Sequence, residues 1–380
     1  MAIVMIFTGL LLLGYVWLLL YYRNGWRELP YYNIAPEAKE PSTFISILVP
    51  ARNEAYHLPA LLNSIATQHY PKHLFELILI DDFSTDQTAQ IARCYSFVKV
   101  ISLSEFIEEG SLNAYKKKAI EIAIQHSKGE LLLTTDADCV APNSWLRHLA
   151  TYYESTQAQL MVMPVMFTNN QQPLGIFQLL DFMSLQGITG ASVYKKLHSM
   201  CNGANLAYTS SAFKAVEGFK GIDNIASGDD MLLMHKIAKQ FPEAIHYIKS
   251  SSLIVQTAPM SNLRSFIQQR IRWASKAVHY NDKSIFWVLL MLYLLNLMLL
   301  LIPILLLIVK GSLWVNIWLG YLLIKTVAEL FYLYMVAKFF GHTKLLFFFP
   351  LAQPFHILYT VVAGWLGKFA QYEWKGRRVQ

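Results

Sequence analysis

Asp136 and Asp138 stand one residue apart at the end of an apolar run, in LLLTTDADCVAP (131–142). Two carboxylates held so close raise each other's pKa unless a cation sits among them. A divalent ion that prefers hard oxygen ligands, Mg2+ or Mn2+, resolves that repulsion. Other polar residues close apolar stretches in the same way. Arg52, Asn53 and Glu54 follow FISILVP (44–50), and Asp81 with Asp82 ends LFELILID (74–81). Asp229 and Asp230 stand in ASGDDMLLMHKIA, just ahead of a helical pattern, where a carboxylate also suits an N-cap. No G-x-x-x-x-G-K-[ST] loop and no dinucleotide fingerprint occurs, so a P-loop phosphate site is excluded.

The elements that must position these groups alternate. Runs 44–50, 74–81, 97–103 and 130–136 read as continuous apolar strands, and 58–68, 84–95 and 114–126 carry helical spacing, the second with Ser84 or Thr85 as N-cap. Strand–helix alternation with apolar strands predicts an α/β domain with a mostly parallel sheet covered on both faces. Ligands of such sheets bind beyond the carboxyl ends of the strands, where the acidic residues cluster.

In order along the chain, VPARNE, the Asp81–Asp82 pair, TDAD, GDD (228–230) and QRIRW (269–273) resemble the motif series of family 2 glycosyltransferases with the Rossmann-like GT-A fold. The stretch CNGANLAYTSSAF (201–213) is similar to that family's acceptor-side strand and helix. The resemblance covers residues 43–280 and implies an inverting, metal-dependent transferase. It implies that Pro50, Arg52, Asn53, Glu54, Asp81 and Asp82 surround the nucleotide and that Asp138, with Asp136, holds a divalent cation on the diphosphate. Lys116, Lys117 and Lys118 resemble the family's diphosphate-facing lysine, and they read equally as a solvated helix face. Asp229 and Asp230 match the acidic pair, with Asp230 as general base. Asn205 lies on the acceptor side. Gln269, Arg272 and Trp273 fit a Q-x-x-R-W motif, with Gln269 and Trp273 on one helical face. The same helix also reads as amphipathic and lying on a membrane.

Composition sets the surroundings. The chain of 380 residues is 54% hydrophobic and 15% charged. The apolar excess falls in residues 1–22 and in segments 285–309, 312–337 and 345–367 within a C-terminal region 285–370, leaving a domain over 43–280 of ordinary polarity. Pro303 is expected to kink the first of these segments, and Pro350 and Pro354 to make the third irregular. The first segment lacks a basic n-region and a cleavage site, and Arg23 and Arg27 follow it. It reads as a retained anchor with the domain in the cytoplasm, at a bacterial inner membrane. Three full spans after an N-out anchor place the basic tail WKGRRVQ outside, against the positive-inside rule; either one segment is re-entrant or the rule fails here. A helix over 177–194 reads as interfacial. The net charge of +7 flanks apolar segments, with no basic stripe interleaved with aromatics, so anionic lipid is the expected partner and nucleic acid is not. Cys94, Cys139 and Cys201 have no metal or redox spacing and read as buried thiols. His235, His246, His279 and His356 follow no ligand spacing and read as structural.

One anchor before the domain and few spans after it resemble ceramide glucosyltransferases and related bacterial enzymes. That implies transfer from a nucleotide-diphosphate sugar, UDP-linked by expectation, to a membrane lipid. The competing readings are a processive polysaccharide synthase and a receptor or scaffold with a degenerate transferase domain. The synthase needs a polar channel that few spans supply. The scaffold is marked by lost carboxylates, and every expected one is present. A transporter wants more spans and more intramembrane charge than Lys325 and Glu329, an i, i+4 pair that can neutralise itself.

Overall fold

A computed structural model gives the architecture and describes residues 1–35, 38–169, 171–197, 200–275, 283–369, 372–374 and 377–379. The chain divides into two compact units.

One unit comprises residues 29–168, 192–258 and 374–380. Its sheet takes strands β1 (Ile45–Ala51), β2 (Phe75–Asp81), β3 (Val98–Ser102), β4 (Leu131–Thr134), β5 (Leu160–Val162), β7 (Leu206–Thr209) and β8 (Ile245–Tyr247), in the order β3-β2-β1-β4-β7-β5-β8. A separate parallel pair joins β6 (Val165–Phe167) to β9 (Val255–Thr257). Strands β1 to β4 are mutually parallel where they pair. Each step between them needs a crossover, supplied by α2 (Leu58–Ala66), α3 (Thr88–Arg93) and α4 (Tyr115–Gln125). Helices α5 (Trp145–Thr156), α7 (Ser210–Ala215) and α8 (Met231–Gln240) complete the unit. The mostly parallel expectation holds, with one exception: β7 runs antiparallel to both β4 and β5.

The core explains the apolar runs. Ile45, Ile47, Leu48 and Val49 of β1, and Leu77, Ile78, Leu79 and Ile80 of β2, have no exposed surface, so both faces of the sheet are covered. Each such side chain contributes about 1.5–3 kcal/mol on burial. Pro50 is tolerated because the β1–β4 ladder ends at Leu48 opposite Thr134, two residues earlier.

Two local expectations are corrected here. Helix α3 starts at Thr88, not at a Ser84 or Thr85 cap. Asp86 holds the turn instead: its carboxylate accepts from the Thr88 N–H (3.0 Å), the Thr88 hydroxyl and the Ala55 N–H (3.0 Å). Burial pushes the Asp86 carboxyl up, but the bonds from Thr88 and Ala55 bring it below its ordinary value. Strand β4 stops at Thr134, so Asp136 and Asp138 lie on the loop beyond it. Of the cysteines, Cys139 and Cys201 are buried as expected, and Cys94 is exposed.

The other unit comprises residues 1–28, 169–191 and 259–373. It contains α1 (Ala2–Glu28), most of α6 (Pro173–Tyr194), α9 (Leu263–Ser275), α10 (Lys283–Ile308), α11 (Ser312–Phe339) and α12 (Phe349–Phe369). Among the described residues four helices are long and apolar enough to cross a membrane: Ala2–Glu28, Ser284–Ile308, Ser312–Phe339 and Thr343–Gly367. Helix α1 outlasts its apolar run, so Arg23 and Arg27 lie on it rather than after it. Helix α10 continues through Pro303, and α12 contains Pro354 after a 3-10 stretch over Thr343–Phe348.

Helix α6 departs from the interfacial expectation. It begins at Pro173, and its polar residues Gln178, Asp181, Gln186 and Thr189 are buried. Gln178 shows how they are accommodated: its amide donates to the Met260 carbonyl (2.9 Å) and its oxygen accepts the Met260 N–H (2.9 Å). Lys325 and Glu329 do pair, at 2.7 Å, and the pair is larger than expected. Gln353 accepts from Lys325 (2.9 Å) and donates to Glu329, and Tyr15 also donates to Glu329 (2.6 Å).

Candidate functional site

Register places β1 and β2 in step, with Ala51 opposite Asp81, so Arg52 and Asp82 leave the sheet together. Arg52 donates through Nη1 to the carbonyls of Asp82 (2.9 Å) and Phe83 (3.1 Å) and to Glu109 (3.1 Å). Asn53 has φ of 53° and braces the same loop: its N–H donates to Ser84 Oγ (3.0 Å) and its side-chain oxygen accepts from the Thr85 N–H (2.8 Å). The Glu54 N–H donates to Thr88 Oγ1, and its carboxylate contacts His57 at 3.0 Å. Asp81 differs from these framework residues. It is buried, and its Oδ1 has no hydrogen-bond partner. A buried carboxylate oxygen left unpartnered is costly, and a ligand hydroxyl or N–H would satisfy it.

The carboxylates after β4 and before α8 meet at one cation. Lys116, at the start of α4, lies 2.8 Å from Asp136 Oδ1 and 3.2 Å from Asp229 Oδ2. Burial opposes its charge, but Asp136 and Asp229 outweigh burial and raise its pKa, so it stays protonated. Asp230 caps α8, accepting from the Met231 N–H at 2.7 Å and from the Gly203 N–H at 3.2 Å. Gly228 lets the chain turn into this cap with φ of 83°, a conformation that a side chain would strain. Gly203 fits closely: a Cβ there would lie 3.2 Å from Asp229 Oδ2 and 3.6 Å from Lys116 Nζ. Asp138, on the same loop as Asp136, accepts from Thr257 Oγ1 at 3.1 Å. Burial, and then the charges of Asp138 and Asp136, push the adjacent Cys139 thiol up and keep it protonated.

The three lysines therefore separate. Lys117 is 2% exposed, and its ammonium donates to the carbonyls of Ile222 (2.8 Å), Ile225 (2.5 Å) and Ser227 (2.9 Å). It holds the segment leading into Asp229 and Asp230, neither facing Asp136 as Lys116 does nor lying on a solvated face. Lys118 pairs with Glu121. Lys117→Met is expected to lower unfolding stability by about 2–3 kcal/mol, the scale of bonds to a charged group. An unchanged melting temperature in that variant would count against this role. Asn205 also turns inward. Its amide donates to Pro164 and Leu253 carbonyls, both at 2.8 Å, and its oxygen accepts from Trp145 Nε1 at 2.9 Å.

In the helical unit, Asn262 accepts from the Ser265 N–H (2.9 Å) at the start of α9. Gln269 and Trp273 lie four residues apart as expected, and Gln269 Oε1 is buried without a hydrogen-bond partner. Arg272 is half-buried. Arg270, which the motif leaves unspecified, is instead the buried arginine of this helix. His246 bonds to Tyr152 (3.0 Å), His356 lies 3.8 Å from Asp181, and His279 falls outside the described residues. Sequence reasoning missed Thr257, Gly203, Arg270 and Asp181. Only the isolated charge of Asp181 in an apolar helix signalled any of them.

Residues 46–216 match the model of the family described as glycosyl transferase family 2. Over 125 residues the chain is 31% identical to Glycosyltransferase AglE of Haloferax volcanii, covering 33% of this chain and 40% of that one. It is 30% identical over 115 residues to the beta-monoglucosyldiacylglycerol synthase of a Nostoc species, covering 29% of this chain and 24% of the relative. These matches thus span well under half of each relative. Its fold is similar to that of the mannosyltransferase PcManGT from Pyrobaculum calidifontis, solved with GDP-Man and Mn2+. The TM-score is 0.59 at 19% identity, covering 96% of this chain and 98% of that one. The parallel β1–β4 core, the sheet order and the likeness to PcManGT agree on a GT-A fold, and within it residues 46–216 match the glycosyl transferase family 2 model.

Proposed function

We propose that the chain is a membrane-embedded transferase that moves a sugar from a nucleotide-diphosphate sugar to a lipid or lipid-linked hydroxyl, inverting the anomeric centre. The observation that carries this reading is the meeting of Asp136 and Asp229 at Lys116. It brings a protonated ammonium within bonding reach of a carboxylate of the D-x-D loop and of Asp229, the neighbour of the α8-capping Asp230. That is the set needed to take up charge on a leaving diphosphate and to remove a proton from an acceptor.

In this reading Asp81 and Arg52 flank the nucleotide. The acceptor oxygen bonds to the anomeric carbon as the bond to diphosphate oxygen breaks. The electron pair goes to the diphosphate, where Lys116 faces it, and the acceptor proton goes to Asp230. No second carboxylate is assigned as a nucleophile, so a single in-line displacement converts an α-linked donor to a β-glycoside.

Asp138 and Asp136 would hold a Mg2+ or Mn2+ ion. Among the described residues no group of three His, Cys, Asp or Glu side chains gathers for a metal. Two carboxylates on one loop suit an ion that takes the rest of its shell from phosphate and water. Bound there, the ion would add Lewis-acid neutralisation of the leaving group. The relative PcManGT was solved with GDP-Man and Mn2+, which supports this donor chemistry. The four long apolar helices support a lipid acceptor and a multi-pass protein. Arg23 and Arg27 at the end of α1 favour a cytoplasmic domain. The similar glucosyldiacylglycerol synthase is named for a lipid product.

The test supplies membranes containing the full chain with a panel of radiolabelled UDP- and GDP-sugars, with and without EDTA. A monoglycosylated, organic-soluble product with β anomeric proton coupling by NMR is expected, and EDTA should abolish it. A long polymer would indicate a processive synthase instead. Full activity in EDTA would remove the cation, and a retained α-linkage from an α-linked donor would remove the mechanism.

A further inference from the structure

Arg270 on α9 is 4% exposed, yet Nε, Nη1 and Nη2 of its guanidinium have no hydrogen-bond partner. Its nearest charge is Asp181 on α6, with Nη2 and Oδ2 2.7 Å apart. That contact is close but not aligned as a hydrogen bond, because both atoms remain without one. The other Asp181 oxygen accepts from the Tyr359 hydroxyl at 2.7 Å and lies 3.8 Å from His356 Nε2, both on α12. His356 Nδ1 and Gln269 Oε1 are also buried without partners. The guanidinium carbon lies over the Trp273 ring at 4.2 Å and the Phe266 ring at 4.9 Å.

A buried cation whose charge is matched but whose N–H groups are unmet is unfavourable unless something with acceptor oxygens completes it. We propose that Arg270, with His356 beside it, forms a site for the phosphate group of a membrane lipid. Three features select that ligand. The guanidinium fork matches two oxygens of one phosphate. Helix α9 carries Arg264, Arg270 and Arg272 and no acidic residue, so positive charge outweighs Asp181. The surroundings are aromatic: Phe177 lies 4.7 Å from Phe355, and Phe266 5.4 Å from Tyr359, between ring centres. Helix α12, which carries His356 and Tyr359, is also one of the four long apolar helices. An apolar wall around an oxyanion site fits a phosphate attached to an alkyl chain better than a free ion. The site is independent of the transferase reading, since no donor is needed to occupy it.

The experiment measures binding of dodecyl phosphate, dodecanol and inorganic phosphate to the full chain in neutral detergent, by native mass spectrometry and calorimetry. Dodecyl phosphate is expected to bind at least about tenfold more tightly than either of the others. Arg270→Lys, which keeps the charge and loses the fork, is expected to weaken it by about tenfold. The paired variant Arg270→Met with Asp181→Leu removes both buried charges and strands neither. It should keep its circular dichroism spectrum and bind dodecyl phosphate no better than dodecanol. Equal binding of dodecyl phosphate and dodecanol by the unmodified chain overturns the proposal. So does undiminished binding in the paired variant. Inorganic phosphate binding as tightly as dodecyl phosphate overturns the lipid assignment and leaves a free-anion site.

Discussion

Asp230→Asn should lower the transfer rate by roughly 10²–10⁴, the usual share of general base catalysis, and leave donor binding intact. The geometry makes this substitution informative. Asp230 does two jobs at once: Oδ1 caps α8 through the Met231 N–H, and Oδ2 accepts from Gly203. Asparagine caps helices about as well as aspartate, so the start of α8 survives with one acceptor oxygen. What asparagine cannot do is accept the acceptor's proton. A residue that only capped α8 would show little change in rate and a stability loss of about 1 kcal/mol or less. Donor binding is expected to persist because Asp136, Asp138 and Asp81 lie on other loops. Single-turnover rates set beside equilibrium binding of labelled donor separate the cases. If binding and turnover fall together, Asp230 belongs to the framework or to the cation site, and another base must be sought.

Asp81, Asp82, Asp136 and Asp138 were legible because they follow apolar strands, and a parallel sheet brings such ends to one edge; Asp229 and Asp230 were legible as residues ahead of a helical pattern. Asp81 follows Ile80 in β2, and Asp136 lies just past Thr134. The lysines were not legible. Lys116, Lys117 and Lys118 are consecutive on one helix, so each points about 100° from the last. What distinguishes them is remote: Lys117 finds its carbonyls more than 100 residues away, at Ile222, Ile225 and Ser227. The α3 cap failed for a local reason. Asp86 offers two oxygens to N–H groups on both sides of the turn, while Ser84 is already engaged by Asn53. Helix α6 was misread because Gln178 and Asp181 look like a polar face when their partners, Met260, Arg270 and Tyr359, are unknown. For Lys117 and helix α6 the decisive partner lay outside any window that periodicity can see.

The same limit applies to Lys325 and Glu329, where sequence found the pair but not its supports, and it yields a quantitative expectation. Glu329→Leu alone should destabilise the helical unit by about 3–5 kcal/mol, because it leaves Lys325 fully buried without its counter-charge. Gln353 would remain as an acceptor at 2.9 Å, but an amide oxygen cannot balance the ammonium. Adding Lys325→Met removes the stranded cation and should recover part of the loss. It should not recover all of it: the Tyr15 hydroxyl and the Gln353 amide, which both donate to Glu329, are still left unmet at about 1–3 kcal/mol each. The double variant is therefore expected between the single variant and the unmodified chain, and the sign of the coupling is the test. Thermal unfolding of the full chain in detergent, followed for all three proteins, measures it. A double variant less stable than Glu329→Leu would mean that Lys325 stabilises through its packing and its bond to Gln353, and that the charge pair is incidental. A double variant more stable than the single one would show that the unpaired charge is the larger cost, since two deletions would then do less harm than one.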